Sequence, residues 1–219
     1  MSTYCVINLK HQMNAVSKNL LLALLLIIWH TTLLHAQRNL SDKTVVQQTR
    51  AKAKSAYQYC KSKKMNTSIC ILIDMGIHSG LNRFIIWDFK KDTIIYSCLV
   101  SHGCCSNPWS KDASKNKPSF SNQDGSHCSS LGKYKIGARG SSSWGIGIKY
   151  LLHGLEPSNS NALTRTIVLH SWDAISDTET YPNGTPEGWG CPSVSNKSMS
   201  IIDVKLRSTQ KPVLLWVYN

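Results

Sequence analysis

Short apolar runs separated by polar, turn-forming residues cover most of the sequence after residue 67. The runs are rich in Ile, Val, Leu and Tyr, and segments such as HSGLN and KKD lie between them, which is typical of antiparallel β-strands. Runs of this kind occupy residues 68–74, 83–89, 93–101, 132–137, 144–151, 166–171 and 213–218. The pattern therefore predicts a mainly β domain.

Two segments carry a helical pattern instead. Residues 41–64 place apolar side chains in a rough stripe and end in several lysines, and Ser41 is a suitable N-cap. Residues 196–207 predict a second, shorter helix with Asn196 as its cap. Residues 104–130 show no periodicity, and a loop this long in a compact domain is usually functional or poorly ordered. The expected fold class is mainly β with a few helices.

The N-terminus has the pattern of a secretory signal peptide. An apolar stretch at residues 20–28 follows Lys10 and Lys18, no acidic residue precedes Asp42, and Ala36 provides a small residue at a cleavage point. The stretch is too short for a spanning helix, which needs about 20 residues. We therefore expect a secreted or periplasmic protein with no integral membrane span in the mature chain. An uncleaved membrane anchor is the alternative.

The chain is strongly basic. It contains 25 Lys and Arg against 12 Asp and Glu, which gives a formal net charge of +13. An exported protein of this charge is expected to meet the anionic cell envelope. Nucleic acid is the other usual partner of such charge, but export argues against it, so no nucleic-acid partner is expected. Solubility and weak surface adhesion are a plainer explanation, which charge alone does not exclude.

The cysteine content fits an exported protein. Eight cysteines occur, and once Cys5 is removed with the leader an odd number remains, so at least one is free or pairs between chains. In an oxidising compartment, a disulfide from Cys104 or Cys105 to Cys128 would pin the long loop. Metal binding is the alternative, since two histidines lie nearby, but adjacent cysteines are awkward ligands for one ion. We expect no metal and no cofactor.

A cysteine in a glycine-rich turn is the candidate nucleophile. Cys191 lies in GWGCP, where glycines let the backbone N–H groups form an anion nest or an oxyanion hole. His170 ends the apolar stretch TIVLH at residues 166–170, a frequent place for a polar side chain at the mouth of a site, although a core histidine is a common alternative. An adjacent imidazolium would stabilise the Cys191 thiolate for attack on a carbonyl. From these residues alone, a structural cysteine and a metal ligand stay open as alternatives.

Five stretches of the sequence resemble one family. They are residues 69–88, 99–103, 120–137, 153–171 and 189–194, which include the motifs LVSHG, VLHS and WGCPSV. They are similar to the L,D-transpeptidase (YkuD-type) catalytic domain family, most closely to its divergent murein branch. The resemblance implies an L,D-transpeptidase-like β-sandwich or barrel. It places the catalytic domain at 67–219, after the signal peptide at 1–36 and a helical segment at 37–66.

The resemblance also implies roles for individual residues. Cys191 is similar to the family's nucleophile and His170 to its base, whose imidazole a backbone carbonyl orients. The backbone N–H groups around Trp189 and Gly190 correspond to the oxyanion hole. The residues that correspond to the substrate-binding surface are His102, Gly103, Ser130, Gly132, Arg165, Ser171 and Ser193.

The sequence departs from the main family pattern next to the nucleophile. Gly188 and Trp189 stand where the main family has Ser or Thr followed by His. Ser193 stands where the main family has an arginine that is associated with substrate contacts. We expect Arg165 or His102 to supply the missing polarity.

The implied reaction is acyl transfer on peptidoglycan stem peptides, in cell-wall cross-linking or remodelling. Cys191 would attack the bond between an L-centre and D-Ala, D-Ala would leave, and an amine of a second stem would resolve the thioester. Water as acceptor would make the protein an L,D-carboxypeptidase. A non-catalytic envelope-binding module and a sortase-like transpeptidase also stay open, and the short interval between His170 and Cys191 disfavours the sortase-like enzyme.

Overall fold

The computed structural model describes residues 44–107 and 117–219. Thr49–Asn219 form one compact unit, and of a second unit that ends at Gln48 only the helical residues 44–48 are described. In chain order the elements are α1 at residues 44–62, β1 Ile69–Asp74, β2 Phe84–Asp88, β3 Thr93–Cys98, β4 Gly132–Ser141, β5 Ile148–Gly154, a short helical turn Pro157–Asn159, β6 Val168–Ser171, β7 Ser193–Val194, α2 Asn196–Arg207 and β8 Leu214–Tyr218.

The described strands form one sheet that curls back on itself. Their order is β3-β2-β1-β8-β4-β5-β6-β7. The N–H of Ser101, after β3, donates to the carbonyl of Ser193 in β7 at 2.9 Å, which brings the two ends of this order together. The predicted fold class, mainly β and barrel-like, is confirmed. The first three strands pair antiparallel, as their runs predict, while β1 runs parallel to β8 and β6 parallel to β7.

The connection from β6 to β7 brings the two candidate catalytic residues together. Parallel neighbours need a crossover of about a dozen residues or more, and residues 172–192 provide it. In the ladder between the two strands, His170 is the register partner of Ser193. The chain therefore returns Cys191, just before β7, to the end of β6 where His170 lies.

Strand β1 is buried on both faces. Ile69, Ile71 and Ile73 pack in the main core, while Cys70 and Leu72 pack in a second cluster on the side of α1. A strand with two buried faces is apolar throughout rather than alternating, as ICILI is. The α1 residues in the second cluster are Ala53, Ala56 and Cys60. Their small size lets the helix lie close to the sheet.

Helix α2 occupies the predicted range, but its cap lies one residue earlier than predicted. Ser195 is the N-cap, and its hydroxyl accepts a hydrogen bond from the Ser198 N–H at 3.1 Å. The predicted cap, Asn196, is wrong, because its side chain donates to Asp173 Oδ1 at 2.6 Å instead. The helix buries Met199, Ile202 and Leu206 in the main core.

The hairpin between β4 and β5 shows that one strand was predicted to begin too early. The strand predicted at 144–151 begins only at Ile148, because the preceding residues form the turn. The Ser142 N–H donates to the Gly147 carbonyl at 3.0 Å and closes this turn. Gly145 and Gly147 have positive φ, which a regular strand excludes. The turn places Trp144 at the hairpin tip.

The other strands follow the apolar runs. β1, β2, β3, β6 and β8 all lie within their predicted ranges. β4 continues to Ser141, past the predicted end at residue 137. β7 was not predicted, because a strand of two residues has no detectable period.

The long loop is closed by a disulfide. Cys105 is bonded to Cys128, which is one of the two predicted pairings. Residues 108–116 of this loop lie outside the described residues, as does the predicted leader at 1–36, and the predicted domain boundaries stay predictions. In the described part of the chain, no helix is long and apolar enough to cross a bilayer.

Candidate active site

His170 lies at the end of β6, on the face of the strand that points away from the main core. Its neighbour Leu169 packs in that core, and side chains alternate along a strand. Nδ1 of His170 lies 2.9 Å from the Ser171 carbonyl oxygen, and Nε2 lies 2.9 Å from the Ser193 hydroxyl. A carbonyl can only accept, so Nδ1 carries the proton and Nε2 accepts from Ser193. Nε2 therefore holds the lone pair that a general base uses.

Cys191 is held by backbone groups just before His170 in the chain. Its Sγ accepts a hydrogen bond from the Val168 N–H at 3.4 Å and donates to the Thr166 carbonyl at 3.7 Å. The thiol and the imidazole therefore have different hydrogen-bond partners at rest.

Both groups are neutral at rest. Burial raises the pKa of the Cys191 thiol, against a backbone hydrogen bond and the charges of Arg165 and Lys149, which lower it. Burial lowers the pKa of His170, a backbone hydrogen bond opposes this shift, and the Lys149 charge lowers the pKa further. The resting site is therefore a thiol beside a neutral base, rather than a thiolate–imidazolium pair.

Both side chains line one cavity of about 330 Å³. Its lining residues are Trp144, His170, Trp172, Gly188, Trp189, Cys191 and Ser193. They come from the β4–β5 hairpin, from β6, from the crossover and from β7. None of these side chains is a carboxylate, a lysine or an arginine. The described lining residues therefore offer stacking surfaces and hydrogen-bonding groups but no permanent charge of their own.

Three tryptophans form the walls of this cavity. Trp189 is 66% exposed and stacks on His127, with ring centroids 4.7 Å apart. Trp144 is 57% exposed and meets Trp172 edge-on at 6.1 Å. Large exposed indoles beside a cysteine offer flat apolar surfaces to a ligand. The sequence predicts a role only for the backbone of Trp189.

The turn that carries Cys191 requires a glycine at position 190. Gly190 has a φ of 98°, and a Cβ at this position would lie 2.5 Å from the Cys128 carbonyl oxygen. The Ser129 hydroxyl donates to the Gly190 carbonyl at 3.3 Å. The close approach is possible because glycine has no side chain. The disulfide therefore anchors the segment against which the turn of Cys191 packs.

A buried network of charged residues lies behind this turn. His102 has no exposed surface, and its Nδ1 lies 2.8 Å from Arg83 Nη2 while its Nε2 lies 3.1 Å from Glu187 Oε1. Arginine only donates, so Nδ1 accepts and Nε2–H donates to the carboxylate. Burial lowers the pKa of His102 and also lowers that of Arg83, to about 9. A neutral imidazole thus links a buried cation to a buried anion close to Cys191 in sequence.

Hydrogen bonds connect this network to the turn that carries Cys191. The Gly188 N–H donates to the His102 carbonyl at 2.9 Å, and the Cys104 N–H donates to the Gly188 carbonyl at 2.8 Å. Gly103 pairs with Gly188, and a Cβ on Gly103 would collide with the backbone of residues 127–129. The structure therefore places the predicted substrate residues His102 and Gly103 in the wall behind the cavity.

Arg165 is committed to the loop that the disulfide closes. Its Nη1 donates to the Ser121 carbonyl at 2.9 Å and to the Ser130 hydroxyl at 2.6 Å. Its Nη2 donates to the Cys128 carbonyl at 2.6 Å. The guanidinium thus holds the loop together, while its charge lies close enough to Cys191 to lower the pKa of the thiol.

The remaining predicted substrate residues have structural contacts of their own. Ser130 is buried and its hydroxyl donates to the Ser121 carbonyl at 2.7 Å. Gly132 opens β4 with a φ of 128°, and the Ser171 hydroxyl accepts from the Ile146 N–H at 3.0 Å. Among the predicted substrate residues, all of which are described, only Ser193 lines the cavity. Substrate-binding roles for this set stay predictions, as do the catalytic and oxyanion roles.

Four residues of the site region carry no signal in the sequence. Arg83 and Glu187 lie far apart along the chain, and no local pattern pairs them or shows that they are buried. Trp144 and Trp172 stand in a turn and directly after a strand, positions that suit an indole in the core or on the surface equally well. Segments far apart in the chain supply them: the hairpin supplies Trp144, the crossover supplies Trp172 and Glu187, and the segment just before β2 supplies Arg83.

The sheet is mixed and curled, and a cysteine and a histidine line one of its cavities. The protein is therefore a β domain with a cysteine and a histidine in its candidate site. The chain matches the L,D-transpeptidase catalytic domain over residues 41–218 and belongs to that family. The family resemblance of the sequence motifs is thereby confirmed. No curated protein sequence matches the chain.

Solved structures with a similar fold are distant in sequence. The helical cell shape determining protein Pgp2 from Campylobacter jejuni, as its K307A mutant, is 10% identical with a TM-score of 0.44, over 69% of this chain and 47% of that one. An L,D-transpeptidase from Xylanimonas cellulosilytica is 12% identical with a TM-score of 0.37, over 69% of this chain and 60% of that one. The chain thus spans about half the length of the Campylobacter chain.

Proposed function

We propose that the protein is an exported cysteine acyltransferase that acts on peptidoglycan stem peptides by L,D-transpeptidation. The observation that carries the proposal is that Cys191 and His170 line the same cavity, in a chain of the L,D-transpeptidase catalytic domain family. The tautomer of His170 supports it further, because Nε2 rather than Nδ1 holds the lone pair beside the cavity.

Acylation begins with a turn of the Cys191 side chain. The thiol leaves the β6 backbone, and its proton passes to His170 Nε2 once the Ser193 hydroxyl moves aside. The thiolate attacks the carbonyl of the bond between an L-centre and D-Ala, and the backbone N–H groups of residues 189–191 are the candidates to stabilise the oxyanion. The C–N bond then breaks, D-Ala leaves with the proton from His170, and a thioester remains.

Transfer to an acceptor completes the reaction. An amine of a second stem attacks the thioester, His170 takes the amine proton, and the new amide bond forms as the C–S bond breaks. The thiol regains its proton from His170, and the product is an L,D cross-link. Water in place of the amine gives L,D-carboxypeptidase activity. The apolar indoles around the thioester favour transfer because they exclude water.

Three observations support action in the cell envelope. The N-terminal sequence has the charge and apolar pattern of a secretory leader. The Cys105–Cys128 disulfide suits an oxidising compartment. The net charge of +13 favours residence beside anionic envelope polymers.

The test is formation of an acyl-enzyme on Cys191. The purified protein is incubated with a stem tetrapeptide or a carbapenem, and the mass of the intact chain is followed. We expect one adduct per chain in the wild type and none in Cys191→Ala. Mass analysis of the products from purified muropeptides then separates cross-linking from hydrolysis.

A matched control removes another thiol. Cys60 is buried among alanines in the α1 cluster, away from the cavity lining, so Cys60→Ala should keep the full yield of adduct. An adduct that still forms at full yield in Cys191→Ala would show that another group is the nucleophile.

A second candidate function is a non-catalytic envelope-binding module. The resting thiol favours it, because Sγ contacts the β6 backbone and burial raises the pKa of Cys191. A thiol-reactive probe at mildly acidic pH separates the two functions, since an activated cysteine reacts much faster than free cysteine at that pH. Slow labelling together with the lack of any acyl-enzyme would support the binding module.

A further inference from the structure

The strand beside His170 carries a lysine on the same face of the sheet. Lys149 of β5 is the register partner of His170 in the antiparallel ladder, and the next pair is Tyr150 with Leu169. Tyr150 and Leu169 both pack in the main core. Since side chains alternate, Lys149 and His170 share the opposite face, with Cβ atoms about 4.5–5.5 Å apart as in any directly opposed pair.

Lys149 acts electrostatically on both candidate catalytic groups. Its ammonium charge lowers the pKa of His170 and that of Cys191. Both effects require a short distance, because charges more than about 10 Å apart are largely screened at physiological salt. Together with the register of β5 and β6, this puts Lys149 next to His170, which lines the cavity, although Lys149 is not itself a lining residue.

The Lys149 ammonium group has no partner of opposite charge within the described part of the chain. No hydrogen bond or ion pair joins it to another described residue. The other cations near the site differ, because Arg83 bonds to His102 and Arg165 bonds to the disulfide-closed loop. Lys149 is half-buried, and its Cε passes over Gly140, where a Cβ would lie 3.8 Å away. The stem is thus supported, while the ammonium is available to a ligand.

The proposed reaction needs an anion partner at this place. The leaving residue of a stem tetrapeptide is a D-amino acid whose α-carboxylate lies two bonds from the scissile nitrogen. The side chains that line the cavity include no lysine or arginine, and Ser193 stands where the main family has an arginine. A carboxylate placed there without a cation would lose its hydration with little compensation.

We infer that Lys149 binds the α-carboxylate of the leaving D-residue and makes the site select donors that end in a free carboxylate. The inference rests on the proposed function. It assigns to Lys149 the polar contact with substrate that, from the sequence, we expect Arg165 or His102 to make. Those two side chains are instead bonded within the walls of the site.

The experiment compares two donors on the intact protein. One is a stem tetrapeptide with a free C-terminal carboxylate and the other is the same peptide with a C-terminal carboxamide. The rate of acyl-enzyme formation is measured by mass for the wild type, Lys149→Gln and Lys149→Arg. The ratio of the two donors' rates is used because a change in thiol reactivity affects both donors alike.

We expect the wild type to prefer the carboxylate donor by about tenfold, as for one charge-assisted hydrogen bond. Lys149→Gln should bring the ratio close to one, and Lys149→Arg should keep most of the preference. Lys211→Gln is the matched control, since it removes a lysine charge from an exposed position outside the cavity lining and should leave the ratio unchanged.

Two results would overturn the inference while leaving the proposed function intact. One is a wild type that both donors acylate equally well. The other is a preference for the carboxylate donor that persists in Lys149→Gln. Failure of both donors to acylate the wild type would instead overturn the proposed function, and the inference with it.

Discussion

The two histidines of the site region, His102 and His170, are held in opposite ways. His102 has no exposed surface, and its ring lies between the charged groups of Arg83 and Glu187. His170 lies at a cavity wall, and its ring lies between a backbone carbonyl and the Ser193 hydroxyl. Burial lowers the pKa of both, so both are neutral at pH 7.

The difference lies in which partner a substrate can displace. Removing either charged partner of His102 would leave the other charged group in the interior with less compensation, which is costly. Displacing a serine hydroxyl from Nε2 of His170 costs little, because the hydroxyl can find another partner. His102 is therefore suited to fixing the turn that carries Cys191, while His170 is suited to exchanging a proton with it.

Replacing His170 should have the largest effect on the reaction. His170→Ala should lower the rate of acyl-enzyme formation by about 10²–10⁴-fold, the range for loss of a general acid–base group. The remaining rate should rise steadily with pH, because the Cys191 thiol must then ionise without a base. Rates measured across pH by mass of the intact chain test both points.

A third histidine provides the control for this loss. His153 is half-buried on β5 and does not line the cavity, so His153→Ala should keep a rate close to that of the wild type. Equal losses in His153→Ala and His170→Ala would contradict the catalytic assignment, since the effect would then follow from altered folding alone.

Replacing Glu187 should affect stability more than chemistry. Glu187→Gln removes one of the two carboxylates whose charge acts on buried Arg83, the other being Asp74, and it replaces the charge-assisted hydrogen bond from His102 with a neutral one. The free energy of unfolding should therefore fall by about 1–3 kcal/mol, the range for a hydrogen bond to a buried charged group. The acylation rate of the protein that stays folded should fall much less than in His170→Ala. Urea unfolding followed by circular dichroism measures the first effect, and rates in dilute buffer measure the second.

An exposed acid gives the comparison for Glu187. Asp177 is exposed, so Asp177→Asn should change the free energy of unfolding by less than about 0.5 kcal/mol, as for most surface substitutions. A Glu187→Gln protein that is as stable as Asp177→Asn would mean that the buried network does not fix the turn.

The sequence predicts the parts of the fold that local patterns determine. The apolar runs locate most strands, and the spacing of apolar residues at 196–207 locates α2. Both signals exist because a segment with a buried face repeats its apolar side chains at the period of its secondary structure. The parallel pairs and the strand β7 escape prediction, since they depend on chain segments that meet only after the crossover forms. A hairpin turn rich in Trp and Ile likewise resembles a strand until two glycines with positive φ are seen.

The site also has parts that local sequence predicts and parts that depend on long-range packing. Cys191 and His170 are visible in the sequence because a glycine turn and a strand end are local features. Whether a polar residue meets the ligand or the wall depends on long-range packing, which is why His102 and Arg165 lie in the walls. Lys149 has no motif of its own, and only the register of β5 with β6 places it opposite His170.

The smallest effect is expected at Ser193, where the comparison between the two histidines is most sensitive. Ser193→Ala removes the hydroxyl that occupies Nε2 of His170 at rest, so the thiol no longer has to displace it. The acylation rate should rise about 2–10-fold, the equivalent of one ordinary hydrogen bond. Ser193→Thr keeps the hydroxyl and should match the wild type. A fall in rate with a raised KM for the donor would instead make Ser193 a substrate contact, as the family resemblance predicts. The Ser193 hydroxyl would then bind the donor rather than only occupy Nε2 of His170 at rest.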